Sequence, residues 1–260
     1  MLEREVPGSV LLALTAMFSA MHAALASQPG PFGFRSWMFI LAPVEGMVLG
    51  PGPGALSAMI GGSIGCVLRG EAVILPIVAF AEPLGAASAG LAIKRKWREL
   101  LAIYGFMLAA YFIHPYGRAL PAWCLWDIYI AFSLLLISPV LWNKAFRASA
   151  LIVLARVRKA LRLPMSRTWL KVPEGAELTL LAGLSAFLGL EADVLARIFM
   201  LIPMCLYALW GIDFTTLVLW WQLGAFSTPL EGLTGALFSA YLIPPIFTAL
   251  RQKGIDCPLT

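Results

Sequence analysis

Charge is scarce in this chain. Only 13% of its 260 residues are charged and 60% are hydrophobic, whereas a soluble domain carries about 25% charged residues. The scarcity excludes a water-soluble fold, because no fold of this length hides so much apolar surface from water. Histidine is rarer still: two residues, His22 and His114, rule against a histidine-rich metal site. Four cysteines, Cys66, Cys124, Cys205 and Cys257, are scattered without a CxxC or any metal-ligand spacing, which reads as free thiols in or beside a membrane. HExxH, GxSxG, a Walker A loop and the paired glutamates of intramembrane proteases are all missing. The sequence therefore predicts no enzymatic activity, no cofactor, no metal and no ATP-binding machinery of its own. Alternating ten-residue strands of the barrel kind are also lacking.

What is present is long apolar runs. Mean hydropathy is +0.85, and a bilayer admits only helices or closed barrels because backbone groups must pair internally. The fold class expected is an all-α polytopic membrane protein, a bundle of six or more, about eight, transmembrane helices. Spans are expected over Gly8–Ala26, Trp37–Gly50, from the Gly-Pro break to Arg69, Glu71–Ile93, Leu100–Ile113 and Trp123–Trp142. The first run is read as a helix and not a cleaved leader, since "ALASQPG" is a weak cleavage site. After these come a short run, "LTLLAGLSAFLGL", a span, "VLARIFMLIPMCLYALWG", a short aromatic run, "IDFTTLVLWWQLGAF", and a last span, "PLEGLTGALFSAYLIPPIFTAL".

The net charge of +5 is concentrated. Eight of nineteen Lys and Arg lie between Lys144 and Lys171, and four more between Lys94 and Arg98. Basic blocks between apolar runs are the mark of cytoplasmic loops, so the N-terminus is expected in the cytoplasm and no nucleic acid is implied. Three regions follow: 1–143 as a helical bundle, 144–177 as a basic cytoplasmic linker or amphipathic segment, and 178–260 as further transmembrane helices of the same bundle.

Ionisable groups inside apolar runs are costly, at least about 2.5 to 3.5 kcal/mol at mid-bilayer, and usually face a bundle interior or a wet cavity. Glu82 lies near the middle of the fourth span, and Glu45 roughly 12 Å into the second at 1.5 Å per residue. Glu82 either contacts a ligand or is a structural carboxyl locking a break before Pro83. Glu45 either serves the same pocket or caps the helix that follows. His22 is a second candidate, or a satisfied interior histidine. Asp127 and Glu231 stand near helix starts, where the helix dipole also favours them. Trp37 and Trp126, with Trp123, Trp220 and Trp221, either form an interfacial belt or stack on a ligand. Ala16, Ala20 and Ala24 recur every four residues, so they share one stripe of the first helix and His22 points the other way. Small stripes let helices approach closely in lipid. An outward one suits a helical partner, and packing within the chain is the alternative.

The alanine-striped first helix, "EGMVLGPGPGALSAMIGGSIG", "AFAEPLGAASAGLAIKRK" and the final "GLTGALFSAYLIPPIFTAL" together resemble the substrate-binding S-component of energy-coupling factor (ECF) transporters. The resemblance spans residues 8–115 and returns over about 195–253. It implies a six-helix bundle with a ligand pocket near the outer face, covered by the loop "SQPGPFGFRSW". It implies that Ala16, Ala20 and Ala24 meet a transmembrane coupling subunit carrying ABC-type ATPases, and that Glu82 matches a ligand-contacting glutamate of thiamin-type members. Buried Glu45 and Glu82 suit a cationic or hydrogen-bond-donating molecule. The expectation is a substrate-capture subunit for a small, water-soluble, vitamin-like molecule in a prokaryotic cell membrane, with His22, Trp37, Glu45, Glu82, Trp126 and Asp127 contributing to substrate binding. This chain departs from the pattern in being longer, chiefly at the basic stretch. The rival expectation is an independent secondary transporter or channel using buried carboxylates as an ion or proton relay.

Overall fold

The computed structural model describes residues 7–31, 36–141 and 173–253. Among these residues there is no β-strand, only a single bridge between Pro29 and Ser36. Helix α1 is Gly8–Ala26. A 3-10 turn, Trp37–Ile40, leads into α2, Ala42–Leu49, and α3 is Pro51–Leu68. A second such turn, Ala72–Ile74, opens α4, Leu75–Ile93. Then come α5, Trp97–Ile113, and the short α6, Pro115–Ala119. A third turn, Ala122–Leu125, opens α7, Trp126–Leu141. The chain continues with α8, Pro173–Leu201, the short α9, Leu206–Leu209, and α10, Phe214–Gln252. Six of these segments are long and apolar enough to cross a membrane: Gly8–Ala26, Pro51–Leu68, Ala72–Ile93, Ala122–Val140, Glu177–Leu201 and Phe214–Gln252. The chain is an all-α, multi-pass membrane protein.

Several segments differ from the sequence reading. The second span is a 3-10 turn plus two turns of α-helix, because Pro43 sits at the start of α2 and cannot donate a backbone bond further back. The short run joins the following span, one of the readings open to it, but only as far as Leu201, where α8 ends; the rest of that span forms the turn around Pro203 and the short α9. Glu191 and Asp193 lie within α8 with buried side chains (0% and 2% exposed). Likewise the aromatic run and the last span merge into α10, which continues through Pro229, Pro244 and Pro245. In a membrane helix a proline frees the carbonyl four residues earlier, which neighbouring groups can take; Pro229 frees the Ala225 carbonyl, and Trp126 Nε1–H donates to it at 2.9 Å. The basic segment expected at 144–177 lies outside the described residues apart from 173–177, where α8 begins. Residues 32–35 of the loop expected to act as a lid also lie outside them.

Close contacts between small residues fix the helix directions. A Cβ on Gly61 of α3 would stand 2.5 Å from the Cβ of His22 on α1, and Gly65 abuts Ala26, so α1 and α3 run parallel. Gly90 of α4 faces Pro51, whereas Gly62 faces Val78, so α3 and α4 are antiparallel. Gly85 and Ala89 of α4 meet Asp193 and Gly189 of α8. On the other side of α8, Gly232 and Gly235 of α10 meet Glu191 and Leu190. Helix α8 is thus packed between α4 and α10, which is why two thirds of its apolar window is buried. Gly50, at φ 91°, forms the tight corner between α2 and α3, a conformation that favours glycine.

These directions give the bundle two distinct ends. One carries the connections 27–36, 69–74, 114–125 and 202–213. The other carries the corner at Gly50, the turn 94–96, the start of α8 and the end of α10. Among the described residues the second end holds Lys94, Arg95, Lys96, Arg98, Arg251 and Lys253, and the first holds Arg69 and Arg118.

Candidate functional site

Two polar features lie inside the bundle. The first is a set of ionisable side chains in two clusters, His22 with Glu45 between α1 and α2, and Glu82 with Arg197 and Asp193 between α4 and α8. His22 and Glu45 are both fully buried, and His22 Nδ1 lies 3.0 and 3.1 Å from the two Glu45 oxygens. Nδ1–H is therefore the donor to the carboxylate. Ser19 Oγ donates to Thr15 O at 2.9 Å and lies 3.4 Å from Ser57 Oγ, which closes the polar seam between α1 and α3. His22 Nε2 has no hydrogen-bond partner. The position of a Cβ on Gly62 would be 3.6 Å from His22 Nε2 and 3.6 Å from Glu82 Cγ. Val78 Cγ1 stands closer still to that point, at 3.1 Å, so a valine methyl borders the space between the histidine and the α4 glutamate.

Glu82, buried on α4, pairs with Arg197 of α8. Arg197 Nε also donates to Asp193 Oδ1 at 3.1 Å, one turn earlier on the same helix. The guanidinium thus bridges two buried carboxylates while remaining about one-fifth exposed. Its exposed part reaches the second feature, a cavity of about 570 Å³. That volume falls within the roughly 300–1,000 Å³ of small-molecule sites.

The cavity lies toward the end of the bundle that carries the longer connections. Its walls come from the start of α4 (Ile74, Ile77), the start of α7 (Leu125, Asp127, Ile128), the end of α8 (Val194, Arg197, Ile198, Leu201) and the first half of α10 (Trp220, Trp221, Ala225, Thr228, Glu231), with Trp210 and Ile212 between. The lining is mostly aliphatic and aromatic, with a few charged and hydroxyl groups. Asp127 Oδ1 accepts the Ile128 N–H at 2.9 Å, as an acid in a first helical turn does. Its Oδ2 lies 2.5 Å from Thr228 Oγ1. Trp221 Nε1–H donates to Tyr111 OH at 3.0 Å, and the two rings stack.

The residues singled out from the sequence do not gather in one place. Asp127 lines the cavity. Glu45 and His22 form their own pair deeper between α1 and α2, and Glu82 meets the cavity's lining through Arg197. Trp126 lies outside the lining, its indole N–H donating to Ala225 O at 2.9 Å. Trp37 is 39% exposed and stacks on Phe39. Ala16, Ala20 and Ala24 are all exposed, together with Leu12, Met17 and Met21. That is the face of α1 opposite His22, as the four-residue spacing requires.

Arg197 and Asp193 were not singled out from the sequence. The signal was "EADVLAR": an acid and an arginine four residues apart inside an apolar run, hence on one face of a helix. Glu191, also buried, belongs to the same stretch. Among the described residues no group of three or more His, Cys, Asp or Glu is arranged to hold a metal ion. Compared with family models, curated proteins and solved structures, the chain matches none of them.

Proposed function

We propose that this chain is the substrate-capture subunit of an ECF-type uptake system, taking a small water-soluble molecule into the cavity and being energised by a partner ATPase module. In this reading the protein sits in a prokaryotic cell membrane with about eight crossings and its N-terminus in the cytoplasm. The basic end of the bundle supports that orientation by the positive-inside rule, and the cavity then opens outward.

The observation that carries the reading is the cavity of about 570 Å³, mostly apolar but furnished with Arg197, Asp127, Thr228 and Glu231. Apolar walls with a few oriented polar groups are the usual make-up of small-molecule sites. The exposed Ala16, Ala20 and Ala24 support coupling to a partner over free-standing transport. A smooth face lets a second helix approach closely in lipid, and the buried face behind it leaves that surface free. The test is purification of the tagged protein from its own membranes in mild detergent, with mass spectrometry of the proteins and small molecules that accompany it. A transmembrane coupling subunit with ABC-type ATPases is the expected result. The protein alone and empty would overturn it.

One observation favours a second reading, an independent secondary transporter. Two buried pairs of ionisable groups, His22 with Glu45 and Glu82 with Arg197, lie side by side across the bundle. Uptake into proteoliposomes lacking ATP and partner would establish that alternative.

A further inference from the structure

We propose that the cavity takes a flat, uncharged, fused-ring aromatic molecule whose polar edge, a carbonyl-type acceptor beside an N–H donor, turns inward to Arg197. The proposal deepens the capture reading and rests on it for the use of the cavity.

Three observations carry it. The first is the remaining edge of the Arg197 guanidinium. Its Nε donates to Asp193 and its Nη2 to Glu82 and Asp193, whereas Nη1 makes no hydrogen bond among the described residues. The group lines the cavity and keeps about one-fifth of its surface exposed. Because two of its edges are already ion-paired, it offers the cavity a pair of directed N–H donors in a fixed position and not a bare charge. A neutral acceptor such as a ring carbonyl answers that offer without a second carboxylate having to compete for the same cation.

The second is the layering of the walls. Helix α10 starts at the end with the longer connections and α8 finishes there, so Trp220 and Leu201 are outer residues and Thr228, Glu231 and Arg197 are inner ones. Thr228 lies about 12 Å below Trp220 at about 1.5 Å per residue. Asp127 joins the inner layer through its bond to Thr228 at 2.5 Å. A carboxylate has several acceptor positions, so Asp127 and Glu231 can take a ligand N–H beside the bonds they already make. The inner layer thus offers donors from Arg197 and acceptors from the two acids, the pattern that a carbonyl next to an N–H completes.

The third is the character of the outer layer. Ile74, Leu201, Trp210, Ile212, Trp220 and Trp221 form it. Trp221 has its N–H engaged by Tyr111 OH at 3.0 Å and its ring stacked on the tyrosine, so it turns apolar surface alone to the cavity. Indole rings favour offset or edge-on contact with other aromatic rings. An ion entering here would exchange water for largely apolar walls, which is costly.

The test is equilibrium dialysis of the purified full-length protein in detergent against empty micelles of the same detergent, which subtracts partition into micelles. Four probes share one fused-ring shape: carbostyril, with a carbonyl beside an N–H; naphthalene, with no polar edge; quinaldate, an anion; and N-methylquinolinium, a cation. Carbostyril is expected to bind at least about tenfold more tightly than each of the others, the ratio that one or two net hydrogen bonds supply. Arg197→Lys keeps a cation beside Glu82 and Asp193 but loses the second N–H edge. In that variant carbostyril should weaken by about tenfold, and naphthalene should be unchanged. Quinaldate, N-methylquinolinium or naphthalene binding as tightly as carbostyril overturns the proposal. So does full carbostyril affinity in Arg197→Lys, and so does the absence of binding by any probe. If Arg197→Lys fails to fold, the order of the four probes on the wild-type protein decides alone. Co-purification of a coupling subunit is a separate readout. A coupling subunit present with carbostyril unbound sinks this proposal alone, and carbostyril bound in the expected order with no coupling subunit sinks the capture reading alone.

Discussion

The two halves of the bundle are packed by different means. In α1 to α4, glycine and alanine bring backbones together: Gly46 meets the Ala86 carbonyl, Gly54 meets Gly46 and Gly61 meets Ser19. Between α7, α10 and the end of α8, large rings and branched chains meet instead, and a cavity remains among them. Backbone-to-backbone packing leaves no volume for a ligand. Packing through bulky side chains leaves gaps wherever shapes do not interlock. The first half is therefore a rigid frame and the second can hold a molecule, with Arg197 reaching from one to the other.

The largest expected effect comes from cutting that link. Arg197→Met strands Glu82 and Asp193, both almost fully buried, and breaking a buried pair on one side costs about 3–5 kcal/mol. Thermal unfolding in detergent should show it, and adding Glu82→Gln should recover part. If Arg197→Met unfolds at the wild-type temperature, the two halves are not joined electrostatically. Next comes the frame itself. Gly46→Ala forces a methyl into the Ala86 backbone and is expected to cost about 3 kcal/mol, the upper part of the usual overpacking range. Gly224→Ala on α10, with nothing within 4 Å, should be neutral or slightly stabilising. Equal effects at Gly46 and Gly224 would erase the distinction between the halves.

Smaller in stability, though not in function, is Ala20→Trp on the exposed stripe. Its unfolding free energy should change by less than about 0.5 kcal/mol, as for other surface positions. Ligand retention should persist while association with a coupling subunit is lost in pull-down. Retained association would make the stripe an ordinary lipid-facing surface. The smallest effect is expected at Asp213, which caps α10 through the Thr216 N–H at 2.6 Å. That hydrogen bond holds its carboxyl below the ordinary aspartate range. Because the folded value is depressed, its contribution is present above the unfolded value and disappears as pH falls through the folded one. The melting-temperature gap between wild type and Asp213→Ala should be small at neutral pH and should close in acid. A gap that is constant with pH would show that the cap does not act through its charge.

Much of the fold was legible because lipid imposes simple rules. Apolar length marked α1, α3, α4 and α7, and the two-faced α1 followed from 100° per residue applied to Ala16, Ala20, Ala24 and His22. The C-terminal half was harder to read. Glu191, Asp193 and Pro229 look like interruptions in a hydropathy pattern, since such a pattern scores each side chain as if it faced lipid. Inside a bundle the acids meet partners, and α8 and α10 run through. The candidate site was legible only in part. Depth alone flagged Glu45 and Glu82, but depth says nothing of which neighbour a carboxylate meets.

The sequence by itself determined the solvent, the helical class and the faces of α1, since these depend on composition and on spacing within one element. Only the tertiary structure decided that Glu45 meets His22 and Glu82 meets Arg197, and that a cavity forms beside Arg197. Those pairings join residues 23 and 115 positions apart. What brings them together is the set of small-residue contacts that lets α1, α3, α4 and α8 close on one another, and no local pattern in the chain encodes the partner across such a contact.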